Sequence, residues 1–258
     1  MKIVSWNVNG LNACIRKGGF DQLIDLLPDV ICLQETKVKK EVEVISGYNH
    51  YFVCSPRNSY SGCLIMTLDE PQNIIYGMGN EKFDEEARVI VAEYPDFFIV
   101  NSYFPNTVDK IERGLFRLEW TEYYRKYVKS LMERKAVILC GDFNVTLSEL
   151  DYNNANERRF RMEEEGFISD ERLAMEEIVA LGFIDAFREK YPNRGQVFSH
   201  WSAKDGGREG SSGGARLDYF FVSRKLIRQV NDVIYHPGIT GSDHCPVELV
   251  MEGGVMVG

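Results

Sequence analysis

The sequence predicts a layered α+β domain with β-sheets packed at its centre. Apolar runs of strand length recur eight times along the 258 residues, and several are apolar on both faces, as strands covered by further layers must be. Helical periodicity interleaves with them in only three places, too few for a sheet in which every strand is followed by a crossover helix. Hydrophobic residues make up 44% and aromatics 12% of the chain, enough to fill a sizeable core and to exclude a disordered chain.

The elements follow in order. "KIVSWNV" begins at Lys2 as the first strand, and "VICLQ" over 30–34 is the second. Between them Phe20 to Leu27 carries helical spacing, stopped by Pro28 because proline cannot continue the ladder. "GCLIMTL" (62–68), "RVIVAEY" (88–94) and "FFIVNSY" (97–103) predict three more strands. The longest helix spans Leu115 to Met132, where Leu115, Leu118, Tyr124, Tyr127, Val128 and Leu131 fall at three- and four-residue spacing. "AVILC" (136–140) is the next strand, and Ser169 can cap a third helix that ends at Gly182. "LDYFFV" (217–222) and "PVELVM" (246–251) complete the set. No Pro/Ser-rich linker and no repeat divides the chain. Residues 1–252 are therefore expected to form one domain, with 253–258 a flexible tail.

Charge and cysteine usage narrow the class. A net charge of −9 excludes a protein that grips nucleic acid by bulk positive charge. The balance is uneven, since residues 204–228 hold six Lys/Arg against three acids, which leaves room for a basic patch on an acidic body. The six cysteines form no CxxC pair, and Cys32 and Cys140 sit inside apolar runs. Such scattered thiols fit a reduced, cytoplasmic protein better than a disulfide framework or a zinc site. No long apolar run and no signal-like N-terminus is present, so no membrane association is expected.

Polar residues of one chemical character stand at the strand ends. "SWNVNG", "CLQETK", "LCGDFNV" and "NSYFPN" each carry a strand into them, and "GSDHCP" stands at the mouth of the last strand. Rigid scaffolds present reactive groups at such places. "SWNVN" and "GDFNV" also share an apolar run, a polar residue and Asn-Val, a hint of two related halves. Glu35 is either the first solvated residue after a strand or a carboxylate ligand. Asn7 and Asn9 are either turn formers before Gly10 or amide oxygens, and an all-oxygen set suits a hard cation such as magnesium. Asp142 and Asn144 are two apart, so on an extended segment they share a face. There a carboxylate and an amide can orient and deprotonate a water. An Asx turn is the competing explanation. His244 needs a carboxylate to fix its tautomer. Adjacent Asp243 would point the other way on a strand, and Asp218, wedged between Leu217 and a run of aromatics, can serve instead. Tyr103 is either a core aromatic or, with Asn106, part of the same edge. No GxSxG occurs, so a serine hydrolase lacks its nucleophile elbow.

The ordered set "SWNVNG", "LQETK", "RVIVAEY", "YFPN", "RGLFRLEW", "CGDFNV", "RLDYFFVS" and "GSDHCP" resembles exonuclease III-type apurinic/apyrimidinic endonucleases, within the endonuclease/exonuclease/phosphatase superfamily. The resemblance runs from Lys2 to about Met251. It implies a four-layer α/β sandwich, with two packed, mainly antiparallel sheets flanked by helices. It also implies magnesium-dependent cleavage (manganese can substitute) of double-stranded DNA on the 5′ side of abasic sites, with 3′-to-5′ exonuclease activity and cleaning of blocked 3′ ends, by a cytoplasmic monomer. By that resemblance Glu35 is the main metal carboxylate, with Asn7 and Asp243 nearby and Asp142, Asn144 and His244 also facing the metal. Asp142 holds and deprotonates the attacking water, assisted by Asn144. His244 donates to the scissile phosphate, oriented by Asp218. Tyr103, Asn106 and Arg113 contact phosphate. Asn9 stands where some relatives have Asp.

Three departures matter. Where the family has an aromatic wall for a flipped-out sugar, this chain has His200 and Ala215, and Glu165 stands near a usual Asn. Loss of the wall implies a less selective lesion pocket, since stacking on an aromatic contributes about 1–3 kcal/mol per base. The alternatives are a nonspecific nuclease or another phosphodiesterase of the superfamily, and a nucleic-acid-binding regulator that has lost catalysis. The regulator should lack some of Glu35, Asp142, Asn144, Asp218, Asp243 or His244, and none is missing.

Overall fold

The computed structural model describes residues 1–107, 111–153, 167–202, 207–209 and 213–252; the expected tail at 253–258 and Glu165 lie outside the described residues. The chain opens with β1 (Lys2–Asn7), α1 (Leu11–Arg16), α2 (Gly19–Ile24), β2 (Val30–Gln34), β3 (Asn49–Val53) and β4 (Cys63–Thr67). It continues with β5 (Asn73–Tyr76), α3 (Glu81–Asp84), β6 (Val89–Glu93), β7 (Phe97–Tyr103), α4 (Ile111–Met132) and β8 (Ala136–Asp142). Last come α5 (Phe167–Val179), β9 (Phe183–Asp185), α6 (Ala186–Lys190), β10 (Asp218–Ser223), β11 (Val230–Tyr235) and β12 (Val247–Met251).

The strands form two six-stranded sheets, ordered β11–β12–β1–β2–β4–β3 and β5–β6–β7–β8–β10–β9. Each contains one parallel pair at its centre, β1–β2 or β7–β8, and is otherwise antiparallel. Each parallel pair is joined through helix, α1–α2 or α4, because a parallel connection must cross back to the starting edge.

Between the sheets lie Ile3, Cys32, Ile65, Ile99, Ile138, Phe220 and Leu249, all almost fully buried. Trp6, Phe20, Leu33 and Leu64 pack in a second cluster with Leu11, Cys14 and Leu23 of α1 and α2. Trp120, Tyr124 and Val128 of α4 pack on Val100, Leu139 and Phe221 of the other sheet, with Met175 and Ile178 of α5. The layers are therefore helix, sheet, sheet, helix, as expected. Each wholly buried Phe or Trp contributes about 1.5–3 kcal/mol by leaving water.

Within this frame the two sheets repeat one path. From β5 the chain makes an edge strand, an inner strand, a central strand, a helical crossover, a second central strand, an edge and an inner strand. The other sheet follows the same path if it starts at β11 and passes through β12 to β1. The halves are thus related, but out of phase along the chain. "SWNVN" of β1 corresponds to "NSYFP" of β7, and "LQETK" of β2 to "GDFNV" of β8. The Asn-Val shared by "SWNVN" and "GDFNV" does not mark equivalent positions.

Several boundaries differ from the sequence expectation. The first patterned helix stops at Ile24, before Leu27, whose φ of 52° is left-handed. α4 begins at Ile111, four residues earlier than the spacing indicated. α5 begins at Phe167, so Ser169 lies inside the helix and does not cap it.

Candidate active site

Parallel neighbours finish at the same edge, and the fold places both parallel pairs with their carboxyl ends together. Asn7 ends β1 opposite Gln34 of β2. Tyr103 ends β7 opposite Asp142 of β8, and Asp142 in turn faces Asp218 at the start of β10. The two sheets meet there: Asn7 Nδ2 donates to Asp142 Oδ2 at 2.9 Å, and Gln34 Nε2 to Asn101 Oδ1 at 2.7 Å. Glycine precedes Asp142 for a steric reason. Gly141 has φ +135°, and a Cβ there would stand 1.9 Å from the Ser102 carbonyl oxygen.

A row of buried polar groups crosses this edge. His244 Nδ1 lies 2.7 Å from Asp218 Oδ2, and its Nε2 lies 3.9 Å from Asp142 Oδ2. Asp142 accepts from Asn7 Nδ2 and Asn144 Nδ2 on one oxygen and from the Asn144 backbone N–H on the other. Asn144 also donates to the Phe104 carbonyl at 3.1 Å. Asp142 and Asn144 meet, but not by strand periodicity. Asn144 has φ 51° and its N–H bonds the Asp142 carboxylate, which is the Asx turn. The turn and the juxtaposition are the same feature.

Asp243 and His244 lie in the loop between β11 and β12, and they diverge. Asp243 Oδ1 accepts from Asn9 Nδ2 at 3.1 Å and from Ser242 Oγ at 3.2 Å. Asn9 Oδ1 in turn accepts from Lys37 Nζ, which pairs with Glu35 Oε1 at 2.9 Å. Glu35 follows β2 in left-handed conformation, φ 56°, and the buried Tyr103 hydroxyl is directed at its carboxylate. A line Glu35–Lys37–Asn9–Asp243 thus flanks the Asp142–His244–Asp218 row.

Burial decides the protonation chemistry. Burial of Asp142, with the charge of Asp218 beside it, pushes its pKa up to about 7 against the opposing pull of His244. Burial works against a charged His244, but Asp218 and Asp142 outweigh it and raise its pKa to about 10. Burial and then Glu35 hold the Tyr103 hydroxyl well above the usual phenol range. His244 and His200 keep Asp243 below the usual carboxylate range against the effect of its burial.

The remaining sequence candidates sit around this centre. Asn106 accepts from Arg113 Nε at 3.3 Å through its backbone carbonyl. Arg113 is not an open cation: it forks onto Glu86 at 2.7 and 2.6 Å and reaches Tyr60 OH at 2.9 Å. Glu86 also binds Arg88 at 2.6 Å, and despite its burial these arginines hold it down to about 2. Arg88 lies under the Tyr103 ring, 4.6 Å from its centroid. His200 pairs by backbone with Ala215 and His244, its ring centroid 4.7 Å from that of His244. Ala215 is buried with Leu217 against Tyr152. Glu86, Arg88, Tyr60 and Lys37 were not singled out in the sequence. The charged pair Glu86 and Arg88, set at the mouth of a strand whose every residue is buried, was a legible signal, since such charges need partners.

The donor set fits a hard divalent cation. Glu35, Asp243 and the Asn7 amide offer oxygens only, and the Lys37 ammonium already balances Glu35 at this edge. Among the described residues Asp142, Asp218 and His244 also bring ligand atoms within 4.8 Å of one another. In that trio His244 Nδ1 is committed to Asp218. Among the described residues no helix is long and apolar enough to cross a membrane.

Residues 4–244 match the endonuclease/exonuclease/phosphatase family. The chain is 40% identical to an exodeoxyribonuclease of Bacillus subtilis (strain 168), covering 97% of this chain and 99% of that one. It is 38% identical to DNA repair nuclease APEX1 of Danio rerio, covering 97% of this chain and 82% of that one. Among solved structures, the AP endonuclease LMAP from Leishmania major superposes with a TM-score of 0.87 at 29% identity, covering 98% of this chain and 87% of that one.

Proposed function

The chain belongs to the endonuclease/exonuclease/phosphatase family, and within it we propose that it is a DNA-repair phosphodiesterase of the exonuclease III type. It incises duplex DNA on the 5′ side of abasic sites, and trims and cleans 3′ ends. The observation that carries this is the buried row Asp218–His244–Asp142, in which Asp218 is hydrogen-bonded to His244 and Asp142, 3.9 Å from the far ring nitrogen, is held by Asn7 and Asn144. A regulator without catalysis would have no use for so costly an assembly of buried polar groups.

Each residue has a task. Asp142, poised at about 7, takes the proton of the attacking water near neutral pH, where a base of that pKa is most effective. Asn7 and Asn144 fix its oxygens. His244, charged at neutral pH, donates to a phosphoryl oxygen as negative charge builds, and Asp218 holds its ring. Tyr103 and Asn106 contact neighbouring phosphate oxygens. Three guanidinium groups, those of Arg57, Arg88 and Arg113, surround the single Glu86 carboxylate, so Arg113 serves the phosphates through the net positive charge of this cluster. Magnesium, which manganese can replace, would be held by Glu35, Asn7 and Asp243, beside Asp142, Asn144 and His244. A cation bound there neutralises phosphoryl oxygen and leaving-group charge. All six cysteines are free, which accords with a reducing, cytoplasmic setting.

The test is one denaturing gel with an end-labelled duplex carrying a single tetrahydrofuran site. Incision 5′ to the site is expected with magnesium, none with EDTA, and a loss of about 10²–10⁴-fold for His244→Asn. Incision unaffected by EDTA, or full activity in His244→Asn, sinks the proposal.

A second reading, broader nuclease activity, is favoured by the wall positions. Ala215 offers no ring, and the small space beside it is filled by Tyr152. A tryptophan needs that space, so the informative variant is Tyr152→Ala with Ala215→Trp. It is expected to raise the ratio of abasic to undamaged incision about tenfold, the worth of one stacking contact. An unchanged ratio removes the relaxed-pocket idea.

A further inference from the structure

The loop from His236 to His244 carries both Asp243 and His244, yet it has few apolar anchors, and Gly238 and Gly241 lie within it. One side chain from elsewhere grips it. Arg208, in the short turn Gly207–Glu209, sends Nη1 to the carbonyls of Pro237 and Ile239 at 2.7 and 2.5 Å. Its Nη2 reaches the carbonyls of Ser242 and His244 at 3.1 and 2.5 Å. The guanidinium lies over the Trp201 ring, 4.8 Å from its centroid. The Trp201 backbone N–H in turn donates to the Asp243 carbonyl at 3.0 Å.

Four N–H groups of one planar fork therefore meet four carbonyls spread over eight residues of the loop. The His244 carbonyl receives a second donor, Trp6 Nε1 at 2.8 Å, from the buried β1. Side-chain contacts to His244 fix where its ring points, while these backbone contacts fix where its Cα stands. Both must be set, because a displacement of about 1 Å at a reacting group costs on the order of 10²-fold in rate.

We propose that Arg208 is a positioning residue, which sets the His236–His244 loop so that Asp243 and His244 meet the metal and the phosphate; this rests on the roles proposed for those two residues. A lysine cannot take its place, since an ammonium is a point donor without the planar fork. Arg208 is not a phosphate contact, because all four N–H groups of Nη1 and Nη2 are spent on the loop.

The experiment compares wild type, Arg208→Ala and Arg208→Lys on the tetrahydrofuran duplex, with kcat and KM measured separately in magnesium. Both variants are expected to lose about 10–100-fold in kcat, with KM within about threefold of wild type. Methylguanidinium at millimolar levels should return part of the loss in Arg208→Ala and none in Arg208→Lys. Unchanged kcat in both variants overturns the inference. So does a raised KM with kcat intact that lysine repairs, the behaviour of a phosphate contact. Cation-dependent incision by wild type separates the two levels: its absence refutes the proposed function, and its presence with unaffected variants refutes only the role of Arg208.

Discussion

Asp142→Asn is expected to lower the single-turnover incision rate by about 10³–10⁴-fold, toward the upper range for losing a positioned base, while the protein stays folded and binds DNA. The amide keeps the shape of the carboxylate but cannot take a proton from water. It also disturbs the site. Both oxygens of Asp142 accept hydrogen bonds, one from the Asn144 N–H and the other from Asn7 Nδ2 and Asn144 Nδ2. An asparagine must turn its NH2 toward one of these donors, leaving a buried clash that costs about 1–3 kcal/mol. A drop of several degrees in melting temperature is therefore expected, without loss of the far-ultraviolet circular dichroism spectrum. Affinity for the tetrahydrofuran duplex in EDTA should change by less than about threefold, because no phosphate contact is removed. A rate within tenfold of wild type would remove Asp142 as the base. A binding loss as large as the rate loss would make it a substrate contact.

How far the sequence reached can be read from particular strands. All eight expected strands are present, and they are the interior of both sheets: β1, β2, β4, β6, β7, β8, β10 and β12. Covered on both faces, they read as unbroken apolar runs. The four missed strands, β3, β5, β9 and β11, are the four sheet edges. Their burial is partial and interrupted, as in β11 with Val230 and Val233 buried and Asn231 and Ile234 exposed, so polar residues break the pattern. The site was legible for the same reason as the interior strands: their ends carry it. Illegible was whatever depends on contacts distant in sequence, such as Arg208 on the His236–His244 loop, or Arg57 and Arg113 as the further partners that Glu86 finds. A guanidinium in a Gly/Ser-rich stretch looks solvated until the fold brings four carbonyls to it.

The second large effect belongs to Asp218, and it reads out through pH. Asp218 is fully buried, its Oδ2 is 2.7 Å from His244 Nδ1, and its backbone N–H is tied to Ser199 Oγ. Against the penalty of burial, this carboxylate leads the charges that raise His244 to about 10. Asp218→Asn removes the charge and keeps the volume. The sign follows directly: a histidine raised by a carboxylate stays protonated until pH passes its raised value, and without that carboxylate it deprotonates at lower pH. Wild-type incision of the tetrahydrofuran duplex should hold level on the alkaline side between about pH 7 and 9, well below the raised value. In Asp218→Asn the alkaline limb should fall within that interval, toward the ordinary imidazole value of about 6.5. At pH 8 the two effects combine, because less imidazolium is present and the ring is free to take the wrong tautomer, for an expected loss of about 10²–10⁴-fold. Near pH 6 the gap should narrow, since protonation no longer depends on Asp218. A loss of equal size at every pH would show that Asp218 only braces the fold, and an unshifted alkaline limb would show that His244 does not act as a charged donor.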